Sequence, residues 1–191
     1  MPPKAKITKQ MILESALQLV REEGHEAINA RTLSERLQCS TQPIMYNFKT
    51  IEEIRQETYK LADEFHSRYV LPKGEQERNP LMELGLNYIR FGYVEKHLFK
   101  FLFQTNQFAG NSMDSLLNTP ALHELLQLVS DGVGCEMAEA KDVFLAMFIT
   151  AHGCASLLAN NAMEYDEEQL VKLLKQAFSL TIKKNTGGTY E

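Results

Sequence analysis

The chain has 191 residues, of which 44% are hydrophobic and 24% are charged, the balance of a globular protein rather than a disordered one. Its length allows one domain, or a small head on a larger body. No uninterrupted apolar run reaches the roughly 18 residues that a membrane-spanning helix needs, and no apolar stretch of a secretory signal follows the basic start. We therefore expect a cytoplasmic protein with no membrane partner.

The net charge is −5, which at first argues against a nucleic-acid partner, but the charge is unevenly distributed. Residues 1–60 carry nine Lys and Arg against eight Asp and Glu, a balance of +1, whereas residues 61–191 carry −6. DNA binding by the N-terminal part would therefore depend on well-placed contacts and on a dimer rather than on bulk charge.

Residues that could carry catalysis or bind metal show no recognisable spacing. Cys39, Cys135 and Cys154 lie far apart without a CxxC motif, and the five histidines form no cluster, so we expect no metal and no cofactor. The cysteines are either buried reduced thiols or a redox sensor. Because a Gly-rich phosphate loop, HExxH and GxSxG are also missing, we do not expect an enzyme.

Helical spacing runs through nearly the whole chain, without strand-like alternation. A first helix is predicted to begin after an N-cap at Thr8 and to end at Gly24. The residues of its apolar face are spaced i, i+3, i+4 and i+7 and are Leu13, Ala16, Leu17 and Val20.

Two shorter helices are predicted next. One begins at Asn29 and stops near Gln38, and the other is capped by Ser40, has Pro43 in its first turn and runs to about Phe48. The three-residue connection between them is typical of a helix-turn-helix, although a generic helical hairpin would show the same spacing.

The remaining chain is predicted to be a helical body. Thr50 to Glu53 form a capping box that begins a fourth helix, which continues to Pro72. Residues 105–119 are interpreted as a loop. Further helices are expected at about 80–94, 96–104, 120–134, 137–161 and 166–184. We expect an all-α protein with a DNA-binding domain at 1–50 and an effector-binding and dimerisation domain at 51–191.

A helix-turn-helix presents the N-terminal side chains of its second helix to base edges in the major groove. On the helix after Ser40, the candidates for base or phosphate contacts are Thr41, Gln42, Tyr46 and Asn47. The candidates for contacts with the DNA backbone are Lys9, Arg31, Thr32 and Lys49.

The helices of the body suggest a dimer and a ligand pocket. Helix 137–161 is apolar nearly all round and helix 166–184 has a wide apolar stripe, so both are candidates for a dimer interface, with a monomeric core as the alternative. The interface residues we select are Gly153, Leu157, Leu170, Leu174 and Phe178. The aromatic and Met-rich segment from residue 88 onward favours an apolar pocket, although most of its residues fit an ordinary core better than a ligand contact. The pocket candidates are Phe91, Phe103, Phe108, Met113, Met147, Thr150 and Cys154. His152 is either a ligand anchor or a core histidine.

An ordered set of residues makes the helix-turn-helix more specific. Residues 7–54 contain Thr8-Lys9, Glu23-Gly24, Arg31-x-Leu33-x-x-x-Leu37 and Ser40-x-x-x-Ile44-x-Tyr46-x-Phe48. This segment resembles the DNA-binding domain of the tetracycline-repressor (TetR) family. It departs from the family pattern at Gln38, where Gly is usual, at Met45, where an aromatic is frequent, and at Ile51, where Lys is frequent.

The resemblance implies a homodimer whose last two helices pair in a four-helix bundle, and release from an operator when a small molecule binds. By position it places Thr8, Arg31 and Lys49 near the DNA backbone. We therefore expect a ligand-responsive, sequence-specific regulator, most simply a repressor released from a palindromic operator by an apolar or amphipathic effector. The alternatives are a helical protein–protein adaptor and a redox-sensing regulator.

Overall fold

The computed structural model describes residues 7–72, 79–105 and 120–186, and all regular secondary structure in these ranges is helical. The expected all-α fold is confirmed. The helices are α1 (Lys9–Glu23), α2 (Ala30–Arg36), α3 (Thr41–Asn47), α4 (Ile51–Val70), α5 (Pro80–Val94), α6 (Lys96–Phe103), α7 (Pro120–Val133), α8 (Met137–Ala159) and α9 (Glu167–Thr186), with a 3-10 turn at His25–Ala27.

The chain divides into two compact units, the first formed by residues 1–68 and 95–105 and the second by residues 69–94 and 106–191. The boundary predicted at residue 50 does not coincide with this division, because most of α4 and all of α6 group with the N-terminal helices. The loop predicted at 105–119 lies, apart from its first residue, outside the described residues.

Helix α1 begins and ends where its local signals predicted. The side-chain oxygen of Thr8 accepts a hydrogen bond from the Met11 amide at 3.2 Å, and Gly24 closes the helix with φ 93°, a conformation that favours glycine. Ala16 and Val20 of the predicted apolar face are buried, but Leu13 and Leu17 are only half-buried. The buried residues are Ile12, Ala16, Leu19 and Val20.

Helix α6 belongs to the first unit because its side chains contact α1, the 3-10 turn and α4. The ring of Phe101 stacks on His25 at 5.5 Å between centroids, and the Tyr59 hydroxyl donates to the Leu102 carbonyl at 3.2 Å. Just before α6, Glu95 is buried and accepts hydrogen bonds from Arg21 on α1. These contacts extend the N-terminal head beyond the helices that the sequence had assigned to it.

The start of α4 shows half of the predicted capping box. The Thr50 hydroxyl accepts from the Glu53 amide at 3.1 Å, as expected, but the Glu53 carboxylate accepts from the Lys49 amide at 2.8 Å. The bond therefore falls on the residue before the cap, and it fixes the chain between α3 and α4.

The second unit is built around α8, which packs against α5, α7 and α9. A Cβ atom on Gly92 of α5 would lie 2.7 Å from the Cβ of Ala155 on α8, so only glycine allows this close approach. Arg90 of α5 donates to both carboxylate oxygens of Glu167 at 2.8 Å and to the Tyr165 hydroxyl at 3.2 Å, which anchors the start of α9. The predicted cap of α9 is present, with the Asp166 carboxylate accepting from the Gln169 amide at 3.1 Å.

Helix α8 is long and apolar enough, by length and composition, to cross a membrane. Its apolar residues include Val143, Met147 and Leu158, which are at most 2% exposed within the second unit. The core position of these residues accounts for part of this composition, because the side of a helix that packs into a core must be apolar.

Candidate nucleic-acid interface

The connection between α2 and α3 has the tight geometry of a helix-turn-helix. Helix α2 ends when Gln38 adopts φ 51°, in the left-handed region, and the Cys39 amide donates to the Ser34 carbonyl at 2.9 Å. The conformation expected at the position where the TetR pattern has Gly is thus present in this chain, at a cost of about 1 kcal/mol for a residue with a Cβ.

Helix α3 is held by its apolar side and leaves its other side in solvent. Ile44 and Phe48 are at most 2% exposed, so they fix the helix in the unit. Ser40 occupies the N-cap, but its side chain makes no capping hydrogen bond, and Pro43 at the third position has no N–H to offer. The side chains exposed on the outer face are Thr41, Gln42, Met45 and Tyr46.

Two of these exposed residues are apolar or aromatic. Met45 is 42% exposed and Tyr46 is 87% exposed, although both sit on a well-anchored helix. Aromatic and sulfur-containing side chains that fill no core in the protomer are enriched where a protein contacts a partner.

Asn47 differs from the other predicted reading residues. It is half-buried, and its amide nitrogen donates to the Pro43 carbonyl at 2.8 Å and to the Ile7 carbonyl at 3.3 Å. Asn47 therefore ties α3 to the chain that precedes α1. A direct base contact by Asn47 stays a prediction, and its observed bonds favour a positioning role.

The predicted backbone contacts on α2 have internal partners. Arg31 is fully exposed and donates to the Glu35 carboxylate at 2.9 Å, one turn later, and this hydrogen bond raises the pKa of Arg31. The Thr32 hydroxyl donates to the Ala27 carbonyl at 2.6 Å and completes a capping box with Asn29. Thr32 thus caps α2, a role that the sequence analysis did not assign to it.

The other candidates flank α3. The Lys9 ammonium lies 5.0 Å from the centroid of the Phe48 ring, a cation–π distance. Thr8 and Lys49 are exposed, with Thr8 capping α1 and the Lys49 amide bound to Glu53. Thr8, Lys9 and Lys49 all belong to the same compact unit as α3.

A groove of about 630 Å³ lies beside α3 and was not predicted. Its lining includes Gln42 and Tyr46 from the exposed face of α3, together with Met11 from α1 and Cys39 from the turn. No sequence pattern signalled it, because it is formed by residues from three separate segments that share no periodicity.

The sequence matches no protein-family model and no curated protein. The fold matches a variant of TetR from Acinetobacter baumannii AYE in complex with minocycline, with a TM-score of 0.61 and 16% identity over 97% of this chain and 98% of that chain. It also matches a TetR-family transcriptional regulator from Streptomyces coelicolor, with a TM-score of 0.56 and 15% identity over 94% and 100% of the two chains.

The chain has the fold of TetR-family transcriptional regulators. The match covers nearly the whole length of both neighbours, so the TetR fold extends through both units rather than only through residues 7–54. The resemblance seen in the N-terminal quarter of the sequence is thereby confirmed at the level of the fold.

Within this TetR fold, the predicted dimer residues fall into two groups. Leu170 and Leu174 are fully buried in the second unit, where Leu174 approaches Gly85, so their assignment to an outer interface is corrected. Gly153 and Leu157 are exposed on α8, and Phe178 is half-buried on α9. The exposed apolar residues that the sequence analysis missed are Ile149, Leu173 and Leu180.

The predicted pocket residues fall in both units and, in part, outside the described residues, so the pocket stays a prediction. Phe91 and Met147 are at most 2% exposed core residues of the second unit, and the Thr150 hydroxyl donates to the Ala146 carbonyl at 2.8 Å within its own helix. Phe103 belongs to the first unit, where it contacts Phe99. Phe108 and Met113 lie outside the described residues.

Two polar groups of the second unit lie among aromatic rings. The Tyr88 hydroxyl is 2.8 Å from Nδ1 of His152, next to the ring of Phe148, and burial lowers the pKa of His152. Cys154, two residues after His152, is buried, and that burial raises the pKa of its thiol. A raised pKa disfavours the reactive thiolate that a redox sensor requires.

Proposed function

We propose that this protein is a sequence-specific, double-stranded-DNA-binding transcriptional regulator that acts as a homodimer in the cytoplasm. The observation that carries the proposal is the outer face of α3, where Thr41, Gln42, Met45 and Tyr46 are exposed on a helix whose other side is locked into the unit. A helix that follows a tight turn and exposes such side chains has the form required for the major groove.

The charge distribution of the N-terminal head favours DNA binding by a dimer rather than by a single protomer. Several cations of the head are already compensated, Arg31 by Glu35 and Arg36 by Glu22 at 2.6 Å. Each head therefore offers few unpaired charges to phosphates, and non-specific affinity would be low. Two heads bound to half-sites about 34–36 Å apart, or a multiple of that distance, would double the contacts.

An exposed apolar surface on α8 and α9 supports self-association. Ile149, Gly153 and Leu157 recur at every fourth residue of α8, with Ile149 56% and Leu157 48% exposed. On α9, Leu173 and Leu180 are seven residues apart and also exposed. Aligned apolar side chains of this kind form the contact stripe of paired helices, and a second copy would cover them.

The effector is proposed by analogy with the fold. One structural neighbour is in complex with the small molecule minocycline. We extend this to a small apolar or amphipathic effector for the present chain, with release of the operator, and therefore repression, as its effect. A ligand achieves this when it binds more tightly to the conformation that cannot hold DNA.

Selection of bound duplexes from a random pool by the full-length protein tests DNA recognition. Gln42→Ala and Tyr46→Ala are expected to weaken binding to the selected duplex by about tenfold or more, and binding should fall steeply with salt. Gln18→Ala, on the exposed surface of α1, is the matched control. A folded dimer that enriches no duplex and shows no salt-dependent binding would favour the adaptor alternative.

A charged residue placed on the exposed apolar surface of α8 tests the proposed dimer. Leu157→Glu is expected to convert the protein to a monomer in analytical ultracentrifugation, because a carboxylate would be buried against a second copy. Glu164→Gln, at an exposed position after α8, is a control that should leave the mass unchanged. An unaltered dimer in Leu157→Glu would place the interface elsewhere.

A further inference from the structure

The outer face of α3 is arranged as two rows of side chains. Thr41 and Met45 are one turn apart, as are Gln42 and Tyr46, and residues four apart in a helix lie one above the other. All four are exposed, and no hydrogen bond to the side chains of Thr41, Gln42 or Tyr46 is present among the described residues. The face is therefore available for contacts outside the protomer.

The chemistry of this face excludes two of the usual base contacts. Helix α3 contains no Arg or Lys, the residues that bind the paired acceptors of guanine, and no Asp or Glu, which accept from cytosine. Asn47 has an amide, but its nitrogen already donates to the Ile7 and Pro43 carbonyls. Gln42 is the amide on α3 that retains both its donor and its acceptor.

An amide with both groups available matches one base in the major groove. Adenine presents an acceptor at N7 beside a donor at N6, whereas guanine presents two acceptors. The Gln42 amide can therefore make two hydrogen bonds to adenine and one to guanine. On the adjacent row, Met45 and the methyl group of Thr41 offer apolar surface, which matches the C5 methyl group of thymine.

We infer that α3 reads A·T base pairs: Gln42 pairs with an adenine in each half-site, and Thr41 and Met45 contact the methyl groups of neighbouring thymines. The inference rests on the proposed function and adds the base composition of the operator core. The exposure of Met45, which is 42% and has no role in the protomer's core, is accounted for by this contact.

The test uses the duplex that the full-length protein selects, with one chemical group of one base changed at a time. Replacing one adenine per half-site by 7-deazaadenine removes the N7 acceptor, and replacing a thymine by deoxyuridine removes the C5 methyl group. We expect 7-deazaadenine at the Gln42 position to weaken wild-type binding by about tenfold. Deoxyuridine should weaken it by about fourfold, the effect of one buried methyl group.

The variants assign each effect to a side chain. Gln42→Ala should be insensitive to 7-deazaadenine but still sensitive to deoxyuridine. Met45→Ala should keep the effect of 7-deazaadenine and lose the effect of deoxyuridine at the thymine that Met45 contacts, while Gln18→Ala keeps both effects. Gln42→Glu, which only accepts, should shift the selected base at one position per half-site from A to C. A selected half-site that Gln42→Ala and Gln42→Glu leave unchanged would overturn the inference and leave the proposed function standing. A chain that enriches no duplex would overturn both.

Discussion

The guanidinium of Arg21 donates two hydrogen bonds to the carboxylate of Glu95, 74 residues further along the chain. Arg21 lies on α1 and also faces the ring of Phe65 on α4 at 5.2 Å, while Glu95 stands at the start of α6. One arginine of α1 thus contacts two other segments of the first unit. This pairing explains physically why α6 groups with the N-terminal helices.

The two partners of this ion pair are predicted to contribute unequally to stability. Glu95 is 9% exposed and Arg21 34%, so removing the arginine leaves a buried carboxylate unpaired, whereas removing the carboxylate leaves a cation that water can reach. Arg21→Met is expected to lower the free energy of unfolding by about 3 kcal/mol and Glu95→Gln by about 1 kcal/mol. Urea denaturation of both variants and of the double variant measures this difference. Equal losses would contradict the asymmetry.

The sequence predicted the features of this fold that depend on neighbouring residues, and it did not predict those that depend on residues far apart in the chain. Helix bounds agreed within about two residues because Thr8, Asn29 and Asp166 are capping residues whose partners lie three or fewer residues away. The grouping of α6 with the N-terminal helices could not be predicted, because the partner of Arg21 is 74 residues distant and apolar periodicity carries no information about such a pair.

In the candidate site too, the sequence predicts which residues share a helix face but not which distant residues they contact. The exposed row on α3 follows from counting residues after Ser40, and the structure keeps Thr41, Gln42 and Tyr46 in solvent. The bonds of Asn47 to Ile7 depend on where α1 begins in space relative to α3, which spacing alone does not give. On α9, Leu174 fits an interface pattern as well as a core pattern, because both are apolar stripes.

A side chain at Gly92, where α5 crosses α8, is predicted to lower the stability of the protein. A methyl group at this position would lie 2.7 Å from the Ala155 Cβ and 2.9 Å from its backbone oxygen, and neither neighbour is a flexible side-chain end. Gly92→Ala should therefore destabilise the protein by about 1–3 kcal/mol, the usual cost of overpacking. Gly85→Ala on the same helix is the comparison and should cost less, because an added Cβ there would lie 3.3 Å from the Leu174 Cδ1, the end of a flexible side chain. Thermal unfolding compares the two, and a neutral Gly92→Ala would mean that the helices separate at little cost.

Gln38→Gly is predicted to stabilise the protein, since Gln38 has φ 51° and glycine adopts this conformation without a Cβ clash. The expected gain is about 0.5–1 kcal/mol. Asn161→Gly, at φ 55°, is the matched comparison and should gain less, because asparagine tolerates the left-handed region better than glutamine. Chemical denaturation gives both values. A loss of stability in Gln38→Gly would show that the side chain of Gln38 makes up for its backbone strain.

Glu35→Gln is predicted to strengthen DNA binding. Arg31 is fully exposed and its guanidinium is engaged by the Glu35 carboxylate, so a phosphate must displace that partner before it can bind. The neutral amide holds Arg31 less firmly and repels phosphate less, and we expect a several-fold tighter complex with a steeper dependence on salt. Glu22→Gln is not an equivalent control, because Glu22 pairs with Arg36; Glu14→Gln on α1 serves instead. A complex unchanged by Glu35→Gln would remove Arg31 from the DNA contacts.

His66 is predicted to make stability fall as the pH is lowered. Burial beside Phe103, whose ring lies 5.0 Å away edge to face, lowers the pKa of His66 from 6.5 to about 4. The folded protein therefore resists protonation that the unfolded chain accepts, so the contribution of neutral His66 is complete above pH 6.5 and is lost between pH 6.5 and about 4. The loss should be on the order of 2 to 3 kcal/mol at the acid end of that range.

Urea denaturation at intervals between pH 7.5 and 4.5 measures this dependence, and His66→Gln separates it from the carboxylates that titrate in the same range. The variant should lose some stability at pH 7.5, where the packing of the ring is removed, but its stability should fall less steeply below pH 6.5 than that of the wild type. Parallel curves for the two proteins would mean that His66 is reached by water in the folded state, and that the first unit is looser around α4 and α6 than their contacts indicate.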